Sequence, residues 1–259
     1  MLKLAFATGT EPGKWFDRFR RFTAHGGLDA RDADDAVARL LLPADDPDHA
    51  NVALARLPVT AGGDPRLRAG TSDDFFVVRL YEEEPGIAVP KESVYAEVGE
   101  AVQPGDVAEE HVNYRLGADG MVDVDAVRAG LQVVAANVGV VIAPRPLLKV
   151  LSKKLVVPLG FLEEPDTLPR TEIALVWRKA ADSEAIQDFV GIAKGRTAAS
   201  SRQEKPKLSA RDKAKAKQAR REQAAGGRGV GKPARNGKNT KGNSRGGSRG
   251  HSRGRGGRR

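Results

Sequence analysis

The apolar side chains of this chain stop near Gly195. The last aromatic residue is Phe189, and beyond Gly195 the only sizeable apolar side chains are Leu208 and Val230. Such a stretch buries too little apolar surface to offset its ordering entropy. Any hydrophobic core must therefore come from residues 1–195, and residues 196–259 are expected to form a disordered basic tail.

Charge divides at the same place. From Arg196 onward lie 21 of the 43 Lys and Arg but only 3 of the 34 acids, an excess of 18 positive charges against an excess of nine negative ones in residues 1–195. Segregation of this kind points to an interaction tail. Residues 207–225, "KLSARDKAKAKQARREQAA", are helix formers with charge on every face, opened by Ser209 and Asp212 in capping-box spacing. From Gly226 onward, twelve glycines interrupt repeated arginines. Lysine and arginine neutralise phosphates and release counterions, so the candidate partner is nucleic acid, DNA or RNA. The candidate contacts are Lys213, Lys215, Lys217, Arg220 and Arg221, then Arg245, Arg249, Arg253, Arg255, Arg258 and Arg259. No aromatic residues interleave, so sequence-specific readout is not implied. A solubilising tail, or one folded back on the acidic body, stays open.

The body alternates strand and helix patterns. "LKLAFA", "VALARLPV", "DFFVVRL", "GIAVP", "VGVVIAP", "KLVVPLG" and "TEIALVW" read as strands. Trp15, Phe19 and Phe22, with Phe16 beside them, mark one helix face, and Val127, Leu131 and Val134 another. Helices are also expected from Asp35 to Leu42, over "RPLLKVLS" and from Ser183 onward. Such alternation predicts an α/β fold with a mostly parallel sheet.

The order of five segments is specific. "LKLAFATGTEPGKWFDRF", "NVALARLPV", "LYEEEPGIAVPKES", "GLQVVAANVGVVIAP" and "RTEIALVWRKA" follow one another as in LysR-type transcriptional regulators. Residues 1–195 resemble the effector-binding domain of that family. The resemblance implies a two-lobed fold like a type 2 periplasmic binding protein, with a ligand in the cleft between lobes. Carried onto this sequence, lobe one spans 1–85 plus 172–195 and lobe two 90–160, with crossings near Gly86–Pro90 and Gly160–Thr171. It also implies a homodimer, through lobe-one strands and helices. The family's N-terminal helix-turn-helix has no counterpart before the first strand here. The expectation is a regulator-related module that binds a small anionic effector, with nucleic acid bound through the tail. The alternatives are an interaction protein that pairs with or titrates a regulator, and an RNA- or ribosome-associated protein acting through the tail.

Within that frame the turn after the first strand, "FATGTEPGKWF", is the first candidate. A phosphate loop needs four residues between its first glycine and Gly-Lys, then Ser or Thr. Here Thr10, Glu11 and Pro12 intervene and Trp15 follows Lys14, so nucleotide chemistry is disfavoured. Thr8, Gly9 and Thr10 are effector-binding candidates at a strand end, with Thr10 as a helix cap the competing reading. Tyr114 and Arg115 follow a lobe-two strand, and Arg115 could pair with a carboxylate. Asn137, Val138 and Gly139 would form the far wall, or else supply the unusual backbone angles of a helix-ending turn. "DDPDHAN" and "YEEEP" are expected to be solvated acidic stretches.

No cysteine is present, which excludes disulfides and thiolate metal sites. The N-terminus lacks a signal-peptide pattern and no stretch reaches membrane-span length. A cytoplasmic, soluble protein without cofactor, metal or membrane partner is expected. No nucleophile–base pair can be named, so an enzyme is not expected.

Overall fold

β1 (Leu2–Ala7), β2 (Leu28–Ala33), β3 (Val52–Pro58), β4 (Phe75–Glu82) and β9 (Thr171–Arg178) form one sheet, ordered β2-β1-β3-β9-β4. β5 (Pro85–Pro90), β6 (Val112–Tyr114), β7 (Val140–Pro144) and β8 (Val156–Gly160) form a second, ordered β6-β7-β5-β8. This computed structural model describes residues 1–60, 63–68, 74–162 and 169–196. The candidate nucleic-acid contacts of the tail, Lys213 through Arg259, lie outside the described residues.

Each sheet is the centre of one lobe and is packed on both faces. In lobe one, α1 (Gly13–Phe22) and α6 (Glu184–Ala193) cover one face, where Phe19 and Phe189 meet at 5.7 Å between ring centroids. α2 (Ala36–Leu41) covers the other, packing Val37 and Leu40 among the alanines of β1, β3 and β9. In lobe two, α4 (Val124–Ala135) and α5 (Arg145–Leu151) bury Val127, Leu131, Leu147 and Leu148 against β5 and β7. Residues around α3 (Val94–Val98) and a 3-10 turn (Pro104–Val107) close its opposite face.

The sheets are mixed rather than mostly parallel. Pairings β1–β2, β1–β3 and β6–β7 are parallel, whereas β3–β9, β4–β9, β5–β7 and β5–β8 are antiparallel. The reason is the double passage between lobes. β5 and β9 are the strands that begin at a crossing, so they run away from it, while the others end towards it. The first crossing is Glu83–Glu84, between the end of β4 and the start of β5. Gly86–Pro90, expected at the crossing, instead pairs with β8 inside the second sheet.

Two elements were invisible to pattern. β2 has the sequence LDARDA, with only its end residues buried, and gains its hydrogen bonds as an edge strand on β1. α3 is a single turn-and-a-half, capped by Ser93. The apolar face of α1 is also shifted. Phe16 and Phe19 are buried, but Phe22 is 51% exposed because the helix ends there and Thr23 is extended.

Candidate functional site

Because β1, β2, β3, β6 and β7 all end towards the crossings, the loops that follow them converge between the lobes. This is the position at which open α/β sheets bind ligands. Thr8 follows β1. It is buried, its amide donates to the Ala33 carbonyl at 3.0 Å, and its hydroxyl donates to Asp34 Oδ1 at 2.8 Å. Gly9 has φ +93°, and a Cβ there would lie 2.8 Å from the Cα of Leu147 in lobe two. Thr10 is not a helix cap. Its hydroxyl donates back to the Ala7 carbonyl at 2.7 Å, and Pro12 occupies the cap position of α1 with no side-chain hydrogen bond. On the other side of the cleft, Gly120 (φ +67°) approaches lobe one so closely that a Cβ would sit 2.9 Å from Pro58 Cβ. The lobes thus meet backbone-close at two glycines.

At the base of the cleft lies a buried ion pair. Arg56, in β3, donates from Nε and Nη2 to the two oxygens of Glu83, at 2.6 and 2.9 Å, with side chains 5% and 1% exposed. Arg56 Nη2 also donates to the Thr8 carbonyl at 3.0 Å, and Thr171, where the chain re-enters lobe one, donates its hydroxyl to Glu83 at 2.8 Å. One carboxylate therefore ties together both crossings and the β1 turn. Glu83 is the middle acid of "YEEEP", expected to be solvated. Its neighbours Glu82 and Glu84 are indeed exposed, paired with Arg170 and Arg145. Glu83, in the crossing between them, turns inward to Arg56 and Thr171.

A second pair bridges the lobes nearer solvent. Arg128, on α4, donates to both oxygens of Asp34, at 2.6 and 2.8 Å, and to Asp125 at 3.0 Å. The Arg128 hydrogen bond holds the Asp34 carboxyl below its ordinary value, against the opposing effect of burial, and the Thr8 hydroxyl adds to the lowering. Asp34, Asp35, Ala36, Val37, Ala55, Arg56 and Arg66 of lobe one, with Met121 and Val122 of lobe two, line a cavity of about 50 Å³ that opens to solvent. Tyr114 is half-buried. Its hydroxyl accepts from the Asp123 amide at 3.1 Å, and burial raises its pKa.

Arg115, the first residue after β6, is exposed. Asn137 (φ +64°), Val138 and Gly139 (φ +63°) precede β7, at the end of that strand opposite the crossing. Val138 is 47% exposed, and a Cβ on Gly139 would lie 2.0 Å from the His111 carbonyl oxygen. These three serve the turn out of α4 and stand away from the cleft. "DDPDHAN" is tied into lobe one, with Asp48 bonded to Arg31 and Arg39 and His49 to the Leu42 carbonyl. Sequence reasoning passed over Arg56, Glu83, Asp34 and Arg128. A lone arginine inside the apolar strand "VALARLPV" was the one available signal.

The fold has clear precedents among solved structures. The effector binding domain of a BenM variant superposes with a TM-score of 0.51 at 14% identity, over 74% of this chain and 92% of that one. BenM's effector binding domain with its effector benzoate gives 0.51 and 14%, over 74% and 90%. Full-length CbnR in complex with its target DNA gives 0.50 and 13%, over 74% and 68%. This is the fold of a LysR-type effector-binding domain. No protein-family model matches the chain, and no curated protein does. At these identities the likeness is one of architecture, and the residues in the cleft are this chain's own.

Proposed function

We propose that residues 1–195 form a ligand-sensing module in which a small molecule binds between two lobes and biases their closure. The observation that carries this reading is the cavity lined by residues of both lobes beside the buried Arg56–Glu83 pair. A ligand touching both walls has different contacts in the open and closed arrangements, and that difference is what moves a two-state equilibrium. No covalent step is required, and the role is transcription-related, as in the regulators that share the fold. The effector would contact residues that line this cavity, with Thr8, Gly9, Thr10, Tyr114 and Arg115 at the strand ends that face the cleft. Native mass spectrometry of the protein purified from its source, with small-angle scattering before and after the bound species is removed, tests it. A retained small molecule whose removal expands the particle is expected. A particle with no bound species, and of one size under all conditions, overturns it.

The tail adds nucleic-acid binding to this module, a reading supported by its excess of 18 positive charges. DNA and RNA titrations at two salt concentrations, with the whole chain and with a chain truncated after Gly195, decide it. Undiminished binding by the truncated chain rules it out, and tighter RNA binding favours the RNA-associated alternative.

A second reading, an interaction protein, is favoured by β4. It is an edge strand that exposes Phe76, Val77 and Tyr81 at 38–44%, and unpaired edges of this kind template pairing with another chain. Light scattering that gives a monomer at all concentrations counts against a homodimer.

A further inference from the structure

The end of α6 fixes where the basic segment leaves lobe one. Gly195 has φ +84°, its amide donates to the Ile192 carbonyl at 3.0 Å, and the Arg196 amide donates to the Gly191 carbonyl at 2.8 Å. This is a Schellman turn, which folds the chain back over the last turn of its own helix. The Arg196 side chain therefore lies on Gly191, where a Cβ would meet its Cδ at 2.7 Å and its Nε at 3.0 Å. The Arg196 carbonyl accepts from Arg18 Nη2 on the neighbouring helix α1. The first cation of a segment with an excess of 18 positive charges is thus held against α1.

α1 meets it with cations of its own. Lys14, Arg18 and Arg21 stand at i, i+4 and i+7 and share one face, with Lys14 and Arg21 exposed. Burial of Phe16 and Phe19 on the other side turns this face to solvent. Lys194, exposed at the end of α6, adds another charge. The nearby acids are engaged with groups outside this face. Asp17 lies 3.9 Å from Arg20, and Asp188 of α6 bonds His25 at 2.8 Å.

The aromatic residues that the basic segment lacks are supplied by α1. Trp15 is partly buried against the lobe-one core, and Phe22 is 51% exposed. Arg18 stands three residues after Trp15 and four before Phe22, so ring, guanidinium and ring form one ridge. Exposed rings among cations match a polymer with charge along its backbone and flat faces beside it. Its phosphates take the cations, and its bases stack on the rings and the guanidinium plane. Bases reach such a ridge only when unpaired. RNA offers them in loops and ends, whereas duplex DNA keeps its bases stacked inside.

We infer that this face of lobe one, formed by α1 and the end of α6, is a docking platform for an unpaired segment of RNA. The inference rests on the reading of the basic segment as nucleic-acid binding and extends that reading onto the folded body.

The test titrates the whole chain with an oligouridylate of about 12 nucleotides at several salt concentrations, followed by tryptophan fluorescence. Trp177 is 2% exposed, so quenching reports Trp15. Quenching by the oligouridylate is expected. Lys14→Ala, Arg18→Ala and Arg21→Ala combined, checked for folding by a melting curve, are expected to weaken binding by about tenfold and to lower the salt slope by about two. Phe22→Ala is expected to weaken binding by about fivefold and leave the slope unchanged. If the triple variant does not fold, Phe22→Ala and the fluorescence of the unmodified chain decide. Duplex DNA or polyglutamate that quenches Trp15 as strongly as the oligouridylate overturns the inference, and so does RNA binding that leaves Trp15 unquenched. Affinity and slope unchanged in both variants overturn the platform and leave binding by the basic segment standing. A whole chain that binds no nucleic acid at any salt concentration overturns both.

Discussion

Glu83 accepts two hydrogen bonds from Arg56, at 2.6 and 2.9 Å, where both side chains are almost wholly out of water. Glu83 belongs to the crossing and Arg56 to the lobe-one sheet, so the pair anchors the hinge to one lobe. Leaving one member unpaired in such a place costs about 3–5 kcal/mol, whereas replacing both by apolar groups costs much less. Glu83→Leu alone is expected to lower the denaturation free energy by about that amount, and Arg56→Met with Glu83→Leu by clearly less than the sum of the single changes. Chemical denaturation of the three variants measures it, and additive losses would show that the pair is not coupled.

Gly9 and Gly120 bring the lobes together because they have no Cβ. Both have positive φ, and an added methyl meets Leu147 Cα at 2.8 Å in one case and Pro58 Cβ at 2.9 Å in the other. The strained backbone alone costs on the order of 1–3 kcal/mol. Gly9→Ala and Gly120→Ala are each expected to destabilise by about this much and to enlarge the particle by pushing the lobes apart. Thermal melts and small-angle scattering read the two effects separately. Gly13 has open space around it, so Gly13→Ala, inside α1, serves as the control and is expected to be neutral or mildly stabilising.

The Asp34–Arg128 bridge predicts a pH response. The Arg128 hydrogen bond lowers the Asp34 carboxyl, so its contribution is fully present above the ordinary carboxylate pKa of about 4. It is lost as pH falls through the lowered value of the folded protein. The Arg128 pKa is raised by the same partner, so the guanidinium keeps its charge throughout. With the side chains 39% and 41% exposed, the bridge is worth less than about 1 kcal/mol. Asp34→Asn is expected to be slightly less stable than the parent near neutrality and equal to it well below pH 4, as followed by denaturant midpoints across pH. A gap that persists in strong acid would assign the effect to something other than this carboxylate.

Helix caps give a fourth expectation. Asp123 accepts the Ala126 amide at 2.9 Å at the start of α4, the helix that carries Arg128 to the cleft. Asp123→Ala is expected to cost about 1 kcal/mol. It should also loosen Tyr114, whose hydroxyl accepts from the amide of the same residue. Hydrogen exchange over α4 and β6 reports both.

Much of the architecture was legible in the sequence because it rests on local period. Strands such as "VGVVIAP" and "TEIALVW" are buried runs, and their neighbours in sequence carry helix spacing and caps. The helices expected from Asp35 and Ser183 start there, each capped by that residue's side chain. β2 was missed because its side chains carry almost no apolar signal, and only a place beside β1 makes LDARDA a strand. The direction of the strands was misjudged for a similar reason. Whether a strand runs with or against its neighbour depends on which side of a crossing it starts, and composition is blind to that.

The candidate site divides along the same line. The sequence alone placed Thr8 and Gly9 at the end of a strand, because a glycine turn between strand and helix is a local signal. It also set the split of charge on either side of Gly195, since that follows from which side chains are present. Only the tertiary structure brought Arg56, 27 residues from Glu83 along the chain, into one buried network with Thr8 and Thr171, and only it set Asp34 against Arg128 across the cleft. A run of three acids looks ordinary in sequence, and a lone arginine in an apolar strand is a signal that names no partner. Their meaning depends on distance in space, and burial then decides that one carboxylate of three must be paired.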